Sequence, residues 1–276
     1  MSSITKQRIR RAFDKSSADY ARYASFQNEV ADEVAVAIER MKIAGGVALD
    51  IGCGAGRLTA RLAESGVFSA IVALDLSGGM AKQTRLACKE FTSVYTIQAD
   101  AERLPVKENS IDLAVSSLAM QWMDDLPGVF QMIATALKPG GRLIGATLGS
   151  GTFSELREAF KYATGGRLKS GSNGTFHKFV TEEKVSRMMT EAGMEVKITS
   201  GHRVKTYDSL PHFLKTLKKT GAQNSDGLSH LGLGRRSVME KLTSAYHEKF
   251  AVNGGGGSGG GVRATYDLIM FDAVRV

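Results

Sequence analysis

The chemically suggestive part of the chain is Asp50-Ile51-Gly52-Cys53-Gly54-Ala55-Gly56. Three glycines behind a short apolar run let a ligand approach the backbone closely, because no Cβ intervenes. A dinucleotide site needs G-x-G-x-x-G, the third glycine packing helix on strand. Here the spacing is G-x-G-x-G, and Arg57 stands where that third glycine would fall. Asp50, just ahead of the first glycine, would repel a pyrophosphate. A ligand carrying an amine and a sulfonium suits its charge better, although glycines so spaced also occur in ordinary turns. Three further positions fit an adenosine ligand. Asp75 follows the glycine run by about 20 residues, where a carboxylate can accept both ribose hydroxyl protons. Asp100, within Gln98-Ala99-Asp100-Ala101-Glu102, can accept from an adenine amino group. Ser116-Ser117-Leu118-Ala119-Met120-Gln121-Trp122 is expected beside the ligand's methionine end. Plain structural uses compete at each position: Asp75 as a helix cap, Asp100 as a turn residue, Trp122 as packing.

Such residues need a frame that gathers them at one edge. Short apolar runs at 47–51, 70–74, 94–97, 111–116 and 142–147 read as strands, the last behind a Pro139-Gly140-Gly141 turn. Helical periodicity covers 57–65, 79–90 and 129–137 between them. Strands alternating with helices predict a parallel sheet covered on both faces. The candidate ligand groups then meet at the carboxyl ends of four successive strands. Beyond Leu148 the pattern changes to helices at 154–163, 181–192, 209–220 and 235–250, with Thr181 as an N-cap. A short strand is expected at 196–198 and a long alternating one at 263–272. The glycine-rich stretches 165–174 and 254–261 read as connecting loops.

The 276 residues carry 36 Lys+Arg against 28 Asp+Glu, a net +8, so an acidic partner is favoured over a basic one. With 43% hydrophobic and 23% charged residues, the chain is neither disordered, collagen-like nor a disulfide-stapled mini-domain. Cys53 and Cys88 lack any paired spacing, so no metal and a reducing compartment are expected. The opening residues lack the apolar run of a secretory signal, and no stretch approaches the roughly 20 apolar residues of a membrane span. These features predict a cytoplasmic protein with no membrane partner. No basic stripe interleaved with aromatics is present, so nucleic acid is not expected either.

Asp50, Gly52, Gly54, Asp75 and Asp100 together resemble the cofactor positions of class I S-adenosylmethionine-dependent methyltransferases, over roughly residues 45–150. The resemblance implies an α/β, Rossmann-like fold. Its sheet has seven mostly parallel strands with the last antiparallel, helices on both faces and helical lid inserts. It further implies one domain over 1–276: a lid at 1–44, a cofactor core at 45–150, substrate-side inserts at 151–192 and 203–252, and the last strand at 262–276. S-adenosylmethionine would be the cosubstrate. Its expected contacts are Tyr20, Asp50, Gly52, Cys53, Gly54, Gly56, Asp75, Leu76, Asp100, Ala101, Glu102, Ser116, Gln121 and Trp122.

A closer resemblance covers almost the whole chain. Lys6-Gln7, Ala12-Phe13-Asp14-Lys15-Ser16-Ser17-Ala18-Asp19-Tyr20 and Gln27 are similar to the opening of the malonyl-acyl-carrier-protein O-methyltransferases of biotin synthesis. So are Ser117-Leu118-Ala119-Met120-Gln121-Trp122, the segment Thr147-Leu148-Gly149-Ser150-Gly151-Thr152-Phe153-Ser154-Glu155-Leu156, and Lys178-Phe179-Val180. Leu217-Lys218-Lys219-Thr220-Gly221-Ala222 and Thr265-Tyr266 complete the set. Residues 254–261 and 164–173 depart from the family pattern. The activity implied is methylation of the free carboxylate of malonyl-acyl carrier protein by a monomer. A carboxylate of ordinary pKa near 4 is already ionised at neutral pH, so no general base is needed and the enzyme works by positioning. Tyr20 as a lid residue and Lys218 as the acceptor's cationic anchor are the expected catalytic groups, with Lys215, Arg203 and Arg157 as other anchors. Lys6, Arg8, Arg10, Arg11, Lys15, Lys205, Lys215, Lys218, Lys219, Arg235 and Arg236 would dock the acidic carrier. Competing readings are a methyltransferase of another small molecule such as a quinone precursor, an RNA methyltransferase, and a regulator that binds the cofactor without turnover.

Overall fold

The computed structural model describes residues 3–43, 45–165, 177–221, 236–252 and 261–276. The loop segments expected at 166–174 and 254–260, and Arg235, lie outside them. In chain order the elements begin with α1 (Ser3–Ser16), α2 (Tyr20–Tyr23), α3 (Ser25–Arg40), β1 (Gly46–Ile51), α4 (Arg57–Glu64), β2 (Phe68–Asp75) and α5 (Gly78–Ala87). Next come β3 (Val94–Gln98), β4 (Ile111–Ser117), α6 (Leu126–Ala136), β5 (Leu137–Leu148) and α7 (Ser154–Ala163). The chain ends with α8 (Glu182–Glu191), β6 (Met194–Tyr207), α9 (Leu210–Lys219), α10 (Arg236–Phe250), β7 (Ala251–Val252) and β8 (Gly261–Arg275). They form two compact units. One comprises Met1–Leu148, Val180–Ser200 and Ile269–Val276; the other comprises Gly149–Phe179 and Gly201–Leu268.

The strand order of the sheet is β3-β2-β1-β4-β5-β8-β6, of which β3, β2, β1, β4, β5 and residues 194–200 and 269–275 belong to the first unit. β1 pairs in parallel with β2 and β4, β2 with β3, and β4 with β5. These seven strands are joined by one more than the sequence predicts, the two-residue β7, which lies antiparallel on β8. Ala48, Leu49, Asp50 and Ile51 of β1 are all buried, as expected of a central parallel strand covered on both faces. That covering explains why β1 reads as a continuous apolar run rather than an alternation. α3 turns Phe26, Val30, Ala31, Val34, Ala35 and Ile38 inward, the spacing of one helical face. α5 starts at Ser77, whose hydroxyl accepts from Met80 N–H, and α8 starts at Thr181, whose hydroxyl accepts from Lys184 N–H. Arg142 clamps the Asp272 carboxylate with both ends of its guanidinium, at 2.7–3.1 Å, and so joins β5 to the end of β8.

Two strands differ from the sequence reading. β5 runs through Pro139-Gly140-Gly141, because Leu137 already pairs with Ile111 before Arg142 pairs with Leu113. The surplus residues form an irregularity there, and a bulge tolerates a proline that has no N–H to give. β6 extends over 14 residues where only three were expected. Met194, Val196 and Ile198 alternate with exposed Glu195, Lys197 and Thr199, but beyond Ser200 the residues are mostly polar and apolar alternation no longer marks the strand.

In the second unit, α10 packs on α7. Phe153, Phe160, Phe213, Tyr246 and Tyr266 are buried here. The Tyr207 and Tyr266 hydroxyls lie 2.7 Å apart, and Tyr246 donates to the Arg263 carbonyl at 2.8 Å. Glu155 is buried and accepts from the backbone N–H and the hydroxyl of Thr265.

Candidate functional site

The chain leaves β1 at Ile51 and turns through Gly52 and Gly54 at φ of +75° and +56° before α4 begins. A Cβ on Gly52 would fall 2.2 Å from that of Ala119, in the segment following β4. Only glycine fits there. A Cβ on Gly54 would meet nothing within 4 Å, because its outer side is open. The Gly54 N–H donates to Asp75 Oδ2 at 3.0 Å, and the Ser77 N–H donates to Asp75 Oδ1 at 2.8 Å. One carboxylate therefore sets both the glycine turn and the start of α5. Behind the turn, Asp50 accepts from the Thr59 hydroxyl at 2.6 Å.

These groups wall a cavity in the first unit that is open to solvent on one side. The cavity is lined by Tyr20, Asp50, Gly52, Cys53, Gly54, Asp75, Leu76, Asp100, Ala101, Glu102 and Trp122, eleven of the positions singled out from the sequence. Three others lie outside the lining. Ser116 turns away to donate to the Ile51 carbonyl at 2.9 Å, tying β4 to β1. Gln121 is held by the Leu118 carbonyl and the Thr147 hydroxyl. Gly56 lies close to Thr84 of α5, 2.9 Å from its Cα by the position a Cβ would take. Successive side chains of a strand point to opposite faces, so proximity to a strand end in sequence does not fix which residue faces the ligand. Lys218 sits on α9 of the second unit, with its side chain exposed.

The sequence reading expected a lid from residues 1–44 but singled out only Tyr20 of it as a lining residue. Lys6, Ile9 and Phe13 all face the cavity, as do Gln27 and Asn28 of α3. The signal was present, since positions 6, 9 and 13 share one helical face. α1 is fastened at three points. Lys6 Nζ lies 2.7 Å from Asp100 and 2.9 Å from Glu102. Asp14 accepts from the Ser77 hydroxyl at 2.6 Å and from the Gly79 N–H at 3.0 Å. Phe13 meets Trp122 edge-on, with ring centroids 5.7 Å apart. Leu118 in the same wall has φ +52°, a strained conformation for a branched side chain.

The electrostatics favour a cationic ligand with hydroxyl groups. Burial pushes the Asp50 carboxyl up to about 7, the Thr59 hydrogen bond offsetting part of this and the Asp75 charge adding to it. Burial likewise pushes Asp75 up to about 6, against the two backbone N–H bonds it accepts. Neither carboxylate has an ion-pair partner among the described residues. The Tyr20 phenol is pushed well above its ordinary range by burial and by Asp75, so it stays a neutral donor. Burial works to lower the Lys6 ammonium, but its hydrogen bonds to Asp100 and Glu102 outweigh this and raise it. Arg57, also on the lining, is engaged by both oxygens of Asp32 at 2.7–2.9 Å. Among the described residues no cluster of His, Cys, Asp and Glu could hold a metal ion. No helix of them is long and apolar enough to cross a membrane.

A mostly parallel sheet in this order, with a glycine turn after β1 and acidic groups ending β2 and β3, defines the class of S-adenosylmethionine-dependent methyltransferases. Residues 49–145 match the family described as "Methyltransferase domain". Among solved structures, phosphoethanolamine N-methyltransferase 2 of Haemonchus contortus in complex with S-adenosyl-L-methionine has this fold. It is 20% identical with a TM-score of 0.53, over 88% of this chain and 52% of that one. The "Malonyl-[acyl-carrier protein] O-methyltransferase" of Geobacter sulfurreducens is 32% identical over 267 residues, 96% of this chain and 97% of that protein. The "Biotin biosynthesis bifunctional protein BioHC" of Saccharophagus degradans is 31% identical over 98% of this chain, which spans 47% of that longer protein. The chain belongs to the malonyl-[acyl-carrier protein] O-methyltransferase family.

Proposed function

We propose that this protein transfers the methyl group of S-adenosylmethionine to the free carboxylate of a malonyl group on acyl carrier protein, an early step of biotin synthesis. The observation that carries the reading is a pair of carboxylates on one cavity, Asp50 buried and Asp75 half-buried, with no cation paired to them among the described residues. S-adenosylmethionine supplies an electrophilic methyl on a sulfonium, together with the positive charge and hydroxyls that these carboxylates lack. Asp50 is assigned to the ligand's ammonium end, Asp75 to the ribose hydroxyls and Asp100 to the adenine amine. Gly52, Cys53 and Gly54 give backbone contact, while Leu76, Ala101, Glu102 and Trp122 form the walls. Ser116, Gln121 and Gly56 brace those walls from outside. Tyr20 closes the cavity as part of the lid, and Lys218 anchors the acceptor's carboxylate. The acceptor is already an anion, so these residues hold and align it and no proton has to be moved. The exposed basic residues of α1, Arg8, Arg10, Arg11 and Lys15, offer the acidic carrier a surface whose attraction salt weakens.

The test uses S-adenosylmethionine labelled in its methyl group, malonyl-acyl carrier protein, and RNA as a competing acceptor. The label is expected on the carrier protein and is released as methanol by mild base, as an ester requires. Label on RNA, or a base-stable adduct, contradicts the proposal. Tyr20→Phe and Lys218→Ala are each expected to lower turnover by about tenfold, the value of one hydrogen bond to a charged group, without changing the unfolding midpoint. Unchanged kinetics in both variants remove these two residues from the mechanism.

A dependence on pH follows from the raised carboxyls. Between their ordinary pKa and the raised values, the folded chain binds protons that the unfolded chain does not. These two groups therefore contribute stability to the ligand-free protein that is lost as pH rises from about 4 to 7. A cationic ligand favours the ionised carboxylates, so the stabilisation by S-adenosylmethionine is expected to grow over the same window. Calorimetric melting with and without ligand at several pH values checks this, and a ligand increment that shrinks with rising pH contradicts it.

A further inference from the structure

Lys6, expected from the sequence among the cations that dock the carrier, instead lines the cavity and is paired there with two carboxylates. Its ammonium reaches from α1 to a pair of carboxylates 94 and 96 positions along the chain, at 2.7 Å from Asp100 and 2.9 Å from Glu102. Each carboxylate is also held from its other side. Asp100 Oδ1 accepts the Glu102 N–H at 2.9 Å, and Glu102 Oε1 accepts the Asp124 N–H at 2.8 Å. Two acidic groups on one tight turn repel each other, and neither can swing away without giving up its backbone partner. A single cation between them removes the repulsion and fixes the remaining Asp100 oxygen.

We propose that Lys6 is a positioning residue for base recognition: by bridging Asp100 and Glu102 it holds the Asp100 carboxylate as a fixed acceptor, selecting a purine with an exocyclic amine over one with a carbonyl there. This rests on the adenosine reading of the cavity. A fixed, ionised acceptor attracts an N–H donor and repels a carbonyl oxygen at the same place. Without Lys6 the repulsion is uncompensated, one carboxylate has to give up its backbone partner, and the Asp100 oxygen is no longer held in place. Lys6 thus acts through Asp100 and is distinct from a simple latch on α1, which would weaken every ligand alike.

Calorimetric titration with S-adenosylhomocysteine and S-inosylhomocysteine separates these roles without reference to turnover. The unmodified chain is expected to prefer the adenosine form. In Lys6→Met its affinity for that form should fall by about tenfold, the value of one charged hydrogen bond, while the weaker inosine form changes little, so the preference collapses. Lys6→Arg should restore most of the preference. The double variant Lys6→Met with Glu102→Gln should recover part of it, because the repulsion is gone while the amide oxygen that replaces the carboxylate can still accept the Asp124 N–H. An equal loss for both ligands, or an unchanged ratio, overturns the proposal. If the unmodified chain binds neither nucleoside, the adenosine reading itself has failed, which is a different result from an unchanged ratio.

Discussion

Asp75→Ala is expected to weaken S-adenosylhomocysteine binding by about 100-fold, the sum of two charge-assisted hydrogen bonds at about 1.5 kcal/mol each. Asp75 has two tasks. Its oxygens hold the N–H groups of Gly54 and Ser77, which fixes the turn after β1 against the start of α5. Its remaining lone pairs are the acceptors assigned to the ribose. Alanine removes both functions, whereas Asp75→Asn keeps one oxygen and sets an amide donor against a backbone donor. The asparagine variant should therefore retain little more affinity than alanine. Burial disfavours the Asp75 carboxylate, but its loss also leaves the Gly54 and Ser77 N–H groups without their acceptor, so the ligand-free fold should lose about 1–3 kcal/mol. Titration calorimetry and urea unfolding of the same samples report the two effects separately. An affinity within about threefold of the unmodified chain contradicts the ribose assignment.

Gly52→Val should act in the opposite way, through the fold. Its Cβ would lie 2.2 Å from that of Ala119, and valine at φ +75° is strained in any surroundings. Overpacking and backbone strain at about 1–3 kcal/mol each make the expected destabilisation several kcal/mol, read as a lowered urea midpoint. Gly54→Ala is the matching control. Its Cβ meets no protein atom within 4 Å, so it should cost only about 1 kcal/mol of backbone strain. Yet it narrows the cavity, and ligand affinity should fall more than stability does. Equal stability losses at the two glycines would show that the turn yields more freely than its packing implies.

β1 and β4 are legible because they are covered on both faces and read as nearly unbroken apolar runs, whereas β3, at the sheet edge with Tyr95 exposed, is marked by its β-branched and aromatic residues. The expected β1, β3 and β4 lie within a residue or so of the observed ends, and the expected α7 has its observed ends. Helix starts at Ser77, Thr181 and Ser209 carry capping side chains, which is a local signal. β6 is legible only at its start, where Met194, Val196 and Ile198 alternate with exposed polar residues; beyond Ser200 the strand is mostly polar and the alternation is lost. Residues needed for the cavity separate in the same way. Glycines and acids at strand ends announce themselves by type and spacing, and Asp50, Asp75 and Asp100 all line it. Ser116 departs from expectation because a strand-end position does not fix side-chain direction, and Gln121, on the single 3-10 turn after β4, turns to the Leu118 carbonyl and the Thr147 hydroxyl instead. The Lys6 bridge joins residues 94 positions apart, which no local pattern can reveal.

Mass spectrometry of intact malonyl-acyl carrier protein, after incubation with this protein and S-adenosylmethionine, tests the central claim most directly. The account predicts a gain of one CH₂ on the malonyl group with the thioester intact, and loss of that gain when S-adenosylhomocysteine is added. An unmodified carrier, from a preparation shown by calorimetry to bind S-adenosylhomocysteine, would contradict it.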